Sequence, residues 1–235
     1  MLSRLKSWEG DHQLSYDPVL VCFIHDRGEY PDPQYFIKKT ITYCMPRYII
    51  SDHHFGHANI IKYCDRPFTS VGEMNNILID RYYETIGDDA TLIHLGDVAM
   101  DMQNGEKTIK YFQQLGGDVL IQGNHDVGLK PEEAPFPIFN SCVIEHNEYT
   151  FYCTHRPEDI PDEWNTWAIH GHIHNNNTDE YPFVAYDKQR VNVSSELLDY
   201  RPIALETLTK LLDICPPNMR LRDRDEAREF ASSSI

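Results

Sequence analysis

The sequence "RYIISDHHFGH", residues 47–57, ends a short apolar run on one aspartate and three histidines. The apolar run predicts a buried strand. Carboxylate and imidazole side chains lose hydration when they gather at the end of such a strand, so a partner must compensate for that cost. A metal ion is the first candidate for this partner.

From residue 47 onward, short apolar runs that end in polar residues alternate with helical patterns. Helices are predicted over "TSVGEMNNILIDRYYETIG", where Ser70 and Glu73 form a capping box, and over "GEKTIKYFQQLGG". The runs "TLIHLGD" and "DVLIQGNHD" are typical of strands. The second half is richer in strands, with a hairpin predicted to turn at His146 and Asn147. The pattern predicts an α/β fold in which two packed mixed sheets are flanked by helices. The resulting four layers make the fold similar to α+β folds.

The length of 235 residues fits one domain with short additions. We assign that domain to residues 47–214. Residues 1–46 are interpreted as an N-terminal extension, either a hairpin added at a sheet edge or a long arm. Residues 215–235 are interpreted as a C-terminal tail, a frayed helix or a disordered segment, because mixed charges there give way to small polar residues.

The composition limits the classes of protein to which the chain can belong. No apolar run approaches the roughly 18 residues that span a bilayer, and the start lacks the apolar segment of a secretion signal, so we expect a cytoplasmic protein. Six scattered cysteines without CxxC spacing predict reduced thiols. The formal net charge of −16 opposes attraction to long nucleic acids and anionic membranes, because both are repelled before contact.

Polar side chains recur at the ends of five successive strand candidates. The carboxyl ends of parallel strands converge on one edge of a sheet, where ligands bind, so we expect these side chains to meet. Glycines precede three of them and are consistent with tight turns that let the backbone approach closely. The set comprises two aspartates, one asparagine and four histidines: Asp52, His54, Asp97, Asn124, His155, His172 and His174.

This donor set contains no thiolate. It suits a pair of octahedral or five-coordinate divalent ions better than a structural zinc site. Mn²⁺ is the favoured ion, with Fe²⁺, Zn²⁺ and Ni²⁺ as alternatives. The pattern therefore predicts a binuclear catalytic centre.

Together these segments resemble the calcineurin-like metallophosphoesterase superfamily, whose motif series is DxH, GD, GNH[DE], H and GHxH. All five blocks occur in that order between about residues 47 and 200. Within the superfamily, "SDHHFGHANIIKYCDRPF" is most similar to a small single-domain group found in bacteria and phages. The chain lacks the longer GDxVDRG block of protein phosphatases, which counts against that role. The blocks read Asp52-His53-His54, Gly96-Asp97, Gly123-Asn124-His125-Asp126, His155 and Gly171-His172-Ile173-His174.

The resemblance implies a role for each motif residue. One metal would be held by Asp52, His54, Asp97 and His174, and the other by Asp97, Asn124, His155 and His172, with Asp97 as the bridge. His125 would face the phosphate and protonate the leaving oxygen or steady the transition state. Asp126 would orient His125.

Residues outside the motifs are harder to assign from the sequence. His57, Arg66 and Arg156 are candidate substrate contacts, since arginine binds phosphate bidentately. Surface residues or structural ion pairs are at least as good a reading of the two arginines. For His57, a helix-cap role or a hydrogen bond to a metal ligand is an equally good reading. A set of aromatic residues has amphipathic spacing and is interpreted as helix–sheet core rather than as a stacking platform: Tyr63, Phe68, Tyr82, Tyr83 and Phe112.

The predicted function is hydrolysis of phosphate esters by a metal-activated hydroxide, because two cations lower the pKa of a shared water towards about 7. A phosphodiesterase acting on small cyclic or modified nucleotides is favoured, since the acidic chain disfavours long nucleic acids. One alternative is a nuclease acting on single strands or ends. Another is a non-catalytic scaffold with this fold. The oligomeric state is not predicted.

Overall fold

The computed structural model describes residues 19–23, 41–42, 45–87 and 89–234. Within these ranges the chain forms strands and α-helices that alternate in the first half of the domain. The strands are β1 (Val19–Phe23), β2 (Ile41–Thr42), β3 (Arg47–Ile50), β4 (Thr91–His94), β5 (Val119–Ile121), β6 (Ile138–Phe139), β7 (Ser141–His146), β8 (Tyr149–Thr154), β9 (Trp167–His170), β10 (Val184–Ala185), β11 (Arg190–Asn192), β12 (Ile203–Ala204) and β13 (Arg220–Leu221). The α-helices are α1 (Ile60–Tyr63), α2 (Val71–Thr85), α3 (Glu106–Gln114), α4 (Leu205–Ile214) and α5 (Arg224–Ser233).

The strands form two mixed sheets. The first has the order β12-β3-β4-β5-β6, in which β3 to β6 are parallel and β12 is antiparallel to β3. The second has the order β13-β10-β11-β9-β8-β7-β1-β2, and its centre, β8-β9-β11, is parallel. Every residue of β4 and of β9 is buried, as expected for parallel strands covered on both faces. The prediction of two mixed sheets flanked by helices is confirmed.

Helices α2 and α3 lie where the sequence pattern predicts them. Ser70 caps α2 by accepting a hydrogen bond from the Glu73 backbone N–H at 3.2 Å. The Glu73 carboxylate does not complete the predicted capping box at Ser70, because it instead accepts hydrogen bonds from Thr69. Helix α4 contacts β3 of the first sheet and β7 of the second, so it packs against both sheets.

The hydrophobic residues of both sheets and of the helices form one buried cluster. Phe68, Tyr82 and Phe112 belong to it, as predicted. The same prediction was wrong for Tyr63 and Tyr83, which are 64% and 58% exposed. Helical spacing places a residue on a helix face, but it does not determine whether the sheet reaches that face.

The hairpin of β7 and β8 turns one residue later than predicted. His146 pairs with Tyr149, so Asn147 and Glu148 form a two-residue loop. Asn147 has a φ of 52°, a left-handed conformation that asparagine adopts more readily than most residues. Three cysteines with described side chains are free thiols, in line with the prediction: Cys64, Cys153 and Cys215.

The two ends of the chain add to the second sheet. Strands β1 and β2 pair antiparallel at one edge, and the other residues of 1–44 lie outside the described ranges. The C-terminal segment, predicted as a frayed helix or a disordered tail, forms the helix α5, and it also contributes β13 to the opposite edge, which was not predicted. The Asp223 side chain caps α5, a signal that the reading of this segment missed. Among the described residues, no helix is long and apolar enough to cross a membrane.

Candidate metal centre

The polar segments that follow the parallel strands meet between the two sheets. Three of them follow β3, β4 and β5, which are parallel in the first sheet. The other two follow β8 and β9, which are parallel in the second sheet. A bridge between Ser51 and Ser194 joins the ends of β3 and β11, so the two sheets contact each other beside these segments. The carboxyl ends of both sheets therefore contribute to one site.

One cluster, here called the first group, consists of Asp52, His54 and His174. The Nε2 atoms of the two histidines are 3.3 Å apart. Asp52 Oδ1 lies 3.9 Å from each of them. All three residues are buried, and Asp52 is fully so.

A second group consists of Asn124, His155 and His172. His155 Nε2 lies 3.1 Å from Asn124 Oδ1 and 3.2 Å from His172 Nδ1. His155 is buried, whereas Asn124 and His172 are half-buried. The backbone N–H of His172 donates to Asp52 Oδ2 at 3.0 Å, which ties the second group to the first.

Asp97 lies between the two groups. Its Oδ2 atom is 3.5 Å from His54 Nε2 in the first group and 3.4 Å from His155 Nε2 in the second. Its Oδ1 atom accepts a hydrogen bond from the His125 backbone N–H at 2.8 Å, which fixes the orientation of the carboxylate. One carboxylate oxygen thus faces both groups.

The arrangement fits divalent ions in two respects. Asp52 Oδ1 is buried and has no hydrogen-bond partner among the described residues, a costly state for a carboxylate oxygen unless a cation contacts it. Two nitrogen ligands about 2.1 Å from one ion are separated by about 3.0 to 3.4 Å at ordinary coordination angles. The 3.3 and 3.2 Å separations of the two histidine pairs fall in that range.

The outer ring nitrogens of two histidines fix which nitrogen faces the site. His155 Nδ1 lies 2.7 Å from the Leu95 carbonyl oxygen, which can only accept, so Nδ1 carries the proton. His174 Nδ1 lies 3.1 Å from each oxygen of the Glu196 carboxylate and donates to it for the same reason. In the neutral ring, Nε2 of each histidine therefore directs a lone pair into the site.

The backbone at the site adopts uncommon conformations. Left-handed φ angles cost about 1 to 2 kcal/mol for a residue with a Cβ and persist where the surrounding structure enforces them, often at functional sites. Asn, Asp and His tolerate them better than most residues. Five of the candidate ligands have φ between 55° and 73°: Asp52, His54, Asp97, His172 and His174.

Two glycines allow the close approach of the chain segments that the sequence predicts. A Cβ at Gly123 would lie 2.2 Å from Asp97 Oδ1. A Cβ at Gly171 would lie 2.2 Å from Ser51 Oγ and 2.5 Å from Asp52 Oδ2. Any side chain at either position would displace a carboxylate of the site.

The electrostatics of the cluster favour bound positive charge. Burial lowers the pKa of His54. Burial also opposes the charge on His155, yet the Asp97 carboxylate beside it raises the pKa of His155 to about 9. Burial opposes the charge on His174 as well. The Glu196 carboxylate, and to a smaller extent that of Asp52, nevertheless raises the pKa of His174 to about 11. The carboxylates thus attract cations, so metal binding here would displace protons.

His125 lies at the edge of the cluster, with Nε2 4.0 Å from Asp97 Oδ2 and its side chain 23% exposed. The centroid of its ring lies 4.9 Å from the ring centroid of His54 and 5.7 Å from that of His57. His125 Nδ1 has no hydrogen-bond partner among the described residues. The candidate acid and the candidate substrate contact His57 are therefore neighbours.

The expected role of Asp126 needs correction. Its fully buried carboxylate does not contact the His125 ring but accepts hydrogen bonds from the backbone N–H groups of Asp97, Val98 and Gly123. Burial, followed by the nearby Asp97 carboxylate, raises the pKa of Asp126. Asp126 therefore holds the loops after β4 and β5 together, and it acts on the site through the backbone.

The structure separates the two arginines that the sequence groups as substrate contacts. Arg66 is buried and paired with Glu196, at 2.6 Å from Nη2 to Oε1, so a direct contact between Arg66 and substrate is contradicted. Arg156 is 40% exposed and lies 3.9 Å from Glu158. It lines a cleft of about 610 Å³ that also borders Asn124 and His155 of the second group.

Sequence reasoning missed a sixth segment of the site, the residues after β11. Strand β11 is parallel to β9, so its carboxyl end reaches the same edge. There the Ser194 hydroxyl accepts a hydrogen bond from the His174 backbone N–H at 3.2 Å, and Glu196 contacts the His174 ring. The polar run "SSE" after an apolar strand was the same signal that identified the other five segments.

Comparison with known proteins identifies the family. The protein-family model described as calcineurin-like phosphoesterase matches residues 45–212 of this chain. An uncharacterized protein of Methanocaldococcus jannaschii is 39% identical over 169 residues, which cover 71% of this chain and 90% of that protein. The chain belongs to the calcineurin-like phosphoesterase family. The protein is accordingly a phosphoester hydrolase with a metal-binding site, and the resemblance inferred from the motifs is confirmed.

Similar solved structures include one that shares this architecture and one that is more distant. A protein of unknown function from Aquifex aeolicus is 25% identical, with a TM-score of 0.54 over 71% of this chain and 99% of that chain. An archaeal phosphodiesterase is 20% identical, with a TM-score of 0.35 over 64% of this chain and 82% of that chain. Neither comparison addresses the small bacterial and phage group, which stays a prediction.

Proposed function

We propose that the protein is a phosphodiesterase that uses two divalent cations to hydrolyse small cyclic or modified nucleotides. The observation that carries this proposal is the position of Asp97 Oδ2, 3.5 Å from His54 Nε2 and 3.4 Å from His155 Nε2. An oxygen between two ligand groups is suited to bridge two ions. Mn²⁺ is the favoured metal, because the donors are carboxylate, amide and imidazole groups without thiolate.

Each ligand group would bind one of the two ions. The first group and Asp97 would hold one cation, and Asp97 with the second group would hold the other. When bound, such ions polarise the phosphate and lower the pKa of water, which is the chemistry that ester hydrolysis needs. Neutral imidazoles add no negative charge, so an anionic substrate is not repelled from the site even though the protein carries a net charge of −16.

His125 is the proposed proton donor to the leaving oxygen. It lies next to Asp97 but is partly exposed, so a substrate can reach Nε2. Its backbone N–H is anchored to Asp97 Oδ1, which sets its position relative to the bound phosphate. General acid catalysis by such a histidine contributes about 10² to 10⁴ in rate.

The cleft beside the second group is the proposed site of the esterified group. Its volume of about 610 Å³ is typical of clefts that bind small molecules. Arg156 supplies a cation for a phosphate oxygen, while Tyr152, Ile160 and Pro161 line the cleft with apolar surface. This combination favours a phosphate joined to a compact organic group, and His57 would contact the phosphate from the side of His125.

The proposal is tested with bis-p-nitrophenyl phosphate and p-nitrophenyl phosphate, each with added Mn²⁺. Turnover of the diester faster than the monoester is expected. Faster monoester cleavage would contradict a phosphodiesterase. Hydrolysis of neither, in protein that holds two ions, would indicate the scaffold alternative.

A panel of cyclic nucleotides, linear dinucleotides and single-stranded DNA then tests the substrate class. We expect the cyclic or modified nucleotides to give the highest kcat/KM. Preferred cleavage of the DNA would replace this proposal with the nuclease alternative.

Two further statements about the protein stay predictions from its sequence. One is a cytoplasmic location. The other is the division into an N-terminal extension (1–46), a catalytic domain (47–214) and a C-terminal segment (215–235). Proteolysis followed by mass spectrometry tests the division, with cleavage expected near residue 46.

A further inference from the structure

We infer that Arg66 and Glu196 form a positioning pair that prepares the first group for its cation. The pair holds His174 in the ligand tautomer and holds the loop of Asp52 and His54 in its left-handed conformation. Arg66 and Glu196 touch no substrate in this account. The inference rests on the proposed two-cation site and adds to it a determinant of metal affinity that acts on one ion only.

The geometry of Glu196 supports this role. Its side chain is 3% exposed, and Oε1 lies 2.6 Å from Arg66 Nη2 and 2.8 Å from Arg66 Nε. Both carboxylate oxygens also lie 3.1 Å from His174 Nδ1. A carboxylate in this position accepts a hydrogen bond from Nδ1–H. The proton therefore stays on Nδ1, and Nε2 of His174 directs its lone pair toward Asp52 and His54.

Arg66 uses two further donors on the metal-binding loop. Nη2 donates to the Asp52 carbonyl oxygen and Nη1 to the His53 carbonyl oxygen, both at 2.7 Å. These carbonyls flank two residues with left-handed φ, Asp52 at 60° and His54 at 55°. One guanidinium therefore fixes the strained loop. Through Glu196, which lies 130 residues away from Arg66 in sequence, it also fixes the histidine that faces the loop.

Stability alone gives little reason for this pair to exist. Burying a carboxylate and a guanidinium costs several kcal/mol per ion, and apolar replacements of similar size are often neutral or stabilising. A role in the site gives the pair a function, because carboxylates behind ligand histidines raise metal affinity by about 10- to 100-fold.

The second group has a different support. His155 Nδ1 donates to the Leu95 backbone carbonyl, and no carboxylate takes part in that contact. Loss of Glu196 should therefore weaken one of two binding events. This asymmetry separates positioning from general damage to the fold.

The experiment is calorimetric titration of metal-free protein with Mn²⁺ for the wild type, Glu196→Gln and the control Asp199→Asn. Asp199 also accepts hydrogen bonds from two arginines, Arg81 and Arg201, and contacts no ligand residue. We expect the wild type and the control to bind two ions. Glu196→Gln should bind one ion with unchanged affinity and the other about 10- to 100-fold more weakly.

Activity provides a second readout of the same variants. Excess Mn²⁺ should restore most of the turnover of Glu196→Gln, because the residue does not touch substrate. The double variant Arg66→Met with Glu196→Leu replaces the buried charged pair with apolar side chains of similar size. It should retain the fold, as measured by circular dichroism, and lose the same ion. It serves as the test if Glu196→Gln does not fold.

The outcomes distinguish the inference from the proposed function. Two ions bound with wild-type affinity by Glu196→Gln, or by the double variant, would overturn the positioning role and leave the two-cation site intact. A wild-type protein that binds only one ion would overturn the two-cation proposal and this inference with it. Equal weakening of both ions would contradict an action limited to the first group.

Discussion

The two ligand groups differ in how they are enclosed. The first group is buried, and the Arg66–Glu196 pair supports it from behind. The second group includes the half-buried Asn124 and His172 and borders the cleft that Arg156 lines. Under the proposed function, the enclosed side would hold its ion through protein groups alone, and a substrate would reach the metal centre from the open side.

The largest expected effect falls on the residue that the two sides share. Asp97→Asn keeps the shape of the side chain and the hydrogen bond from His125, but it removes the charge that faces His54 and His155. We expect both ions to bind more than about 100-fold more weakly, and turnover to fall to near background. Metal analysis after dialysis measures this loss. Two ions retained at wild-type affinity would show that the groups do not share this carboxylate.

A loss of chemistry without a loss of metal is expected at His125. His125→Ala should keep both ions and lower kcat by about 10² to 10⁴. The neighbouring Asn124→Ala serves as the matched variant, because it should lose the ion of the second group. Undiminished kcat in His125→Ala would rule out its role as the proton donor and leave the open side without a catalytic acid.

A smaller effect, confined to substrate binding, is expected on the open side. Arg156→Met should raise KM for a diester by about tenfold, because it removes one charge-assisted hydrogen bond to the substrate. The kcat should stay nearly unchanged. Arg220→Met is the control, since Arg220 pairs with Asp187 at 2.7 Å and does not line the cleft. A fall in kcat with constant KM would place the role of Arg156 in the chemical step.

The smallest effect is expected far from both groups. Hydrogen bonds from Lys210, Asn147 and His146 lower the pKa of Glu206 to about 2. Since this value lies below the unfolded value of about 4.3, the stabilisation is present above that pH and disappears as the pH falls towards 2. Glu206→Gln should cost less than about 1 kcal/mol at pH 7, because the group is exposed and screened.

Denaturant unfolding of Glu206→Gln and the wild type at several pH values measures this difference. Metal content and turnover should be unchanged, so the variant shows what a purely structural loss looks like. An altered metal count would mean that the two groups are sensitive to distant changes, and it would weaken the contrast between them.

Local sequence patterns predict most of the fold and of the candidate ligand set, but not the contacts behind that set. Strands β3, β4 and β5 and the polar residues that follow them are encoded over a few positions each. The sequence left Arg66 open between a substrate contact and a structural ion pair, because its partner Glu196 lies 130 residues away. Asp126 was misread because most of its contacts are with backbone N–H groups, which leave no pattern in the side chains.

The exposure of Tyr63 and Tyr83 could not be predicted for a related reason. Both residues lie in helices with apolar spacing, yet exposure depends on where the neighbouring elements end. The left-handed backbone at five ligands likewise depends on loops fixed by contacts across the two sheets. Sequence therefore identifies which groups meet, and tertiary contacts determine how they are held.

Anomalous diffraction from crystals grown with Mn²⁺ tests the central claim most directly. The account predicts two peaks about 3.5 to 4 Å apart, on either side of Asp97 Oδ2, one beside the first group and one beside the second. A single peak, or two peaks that do not share Asp97, would contradict it.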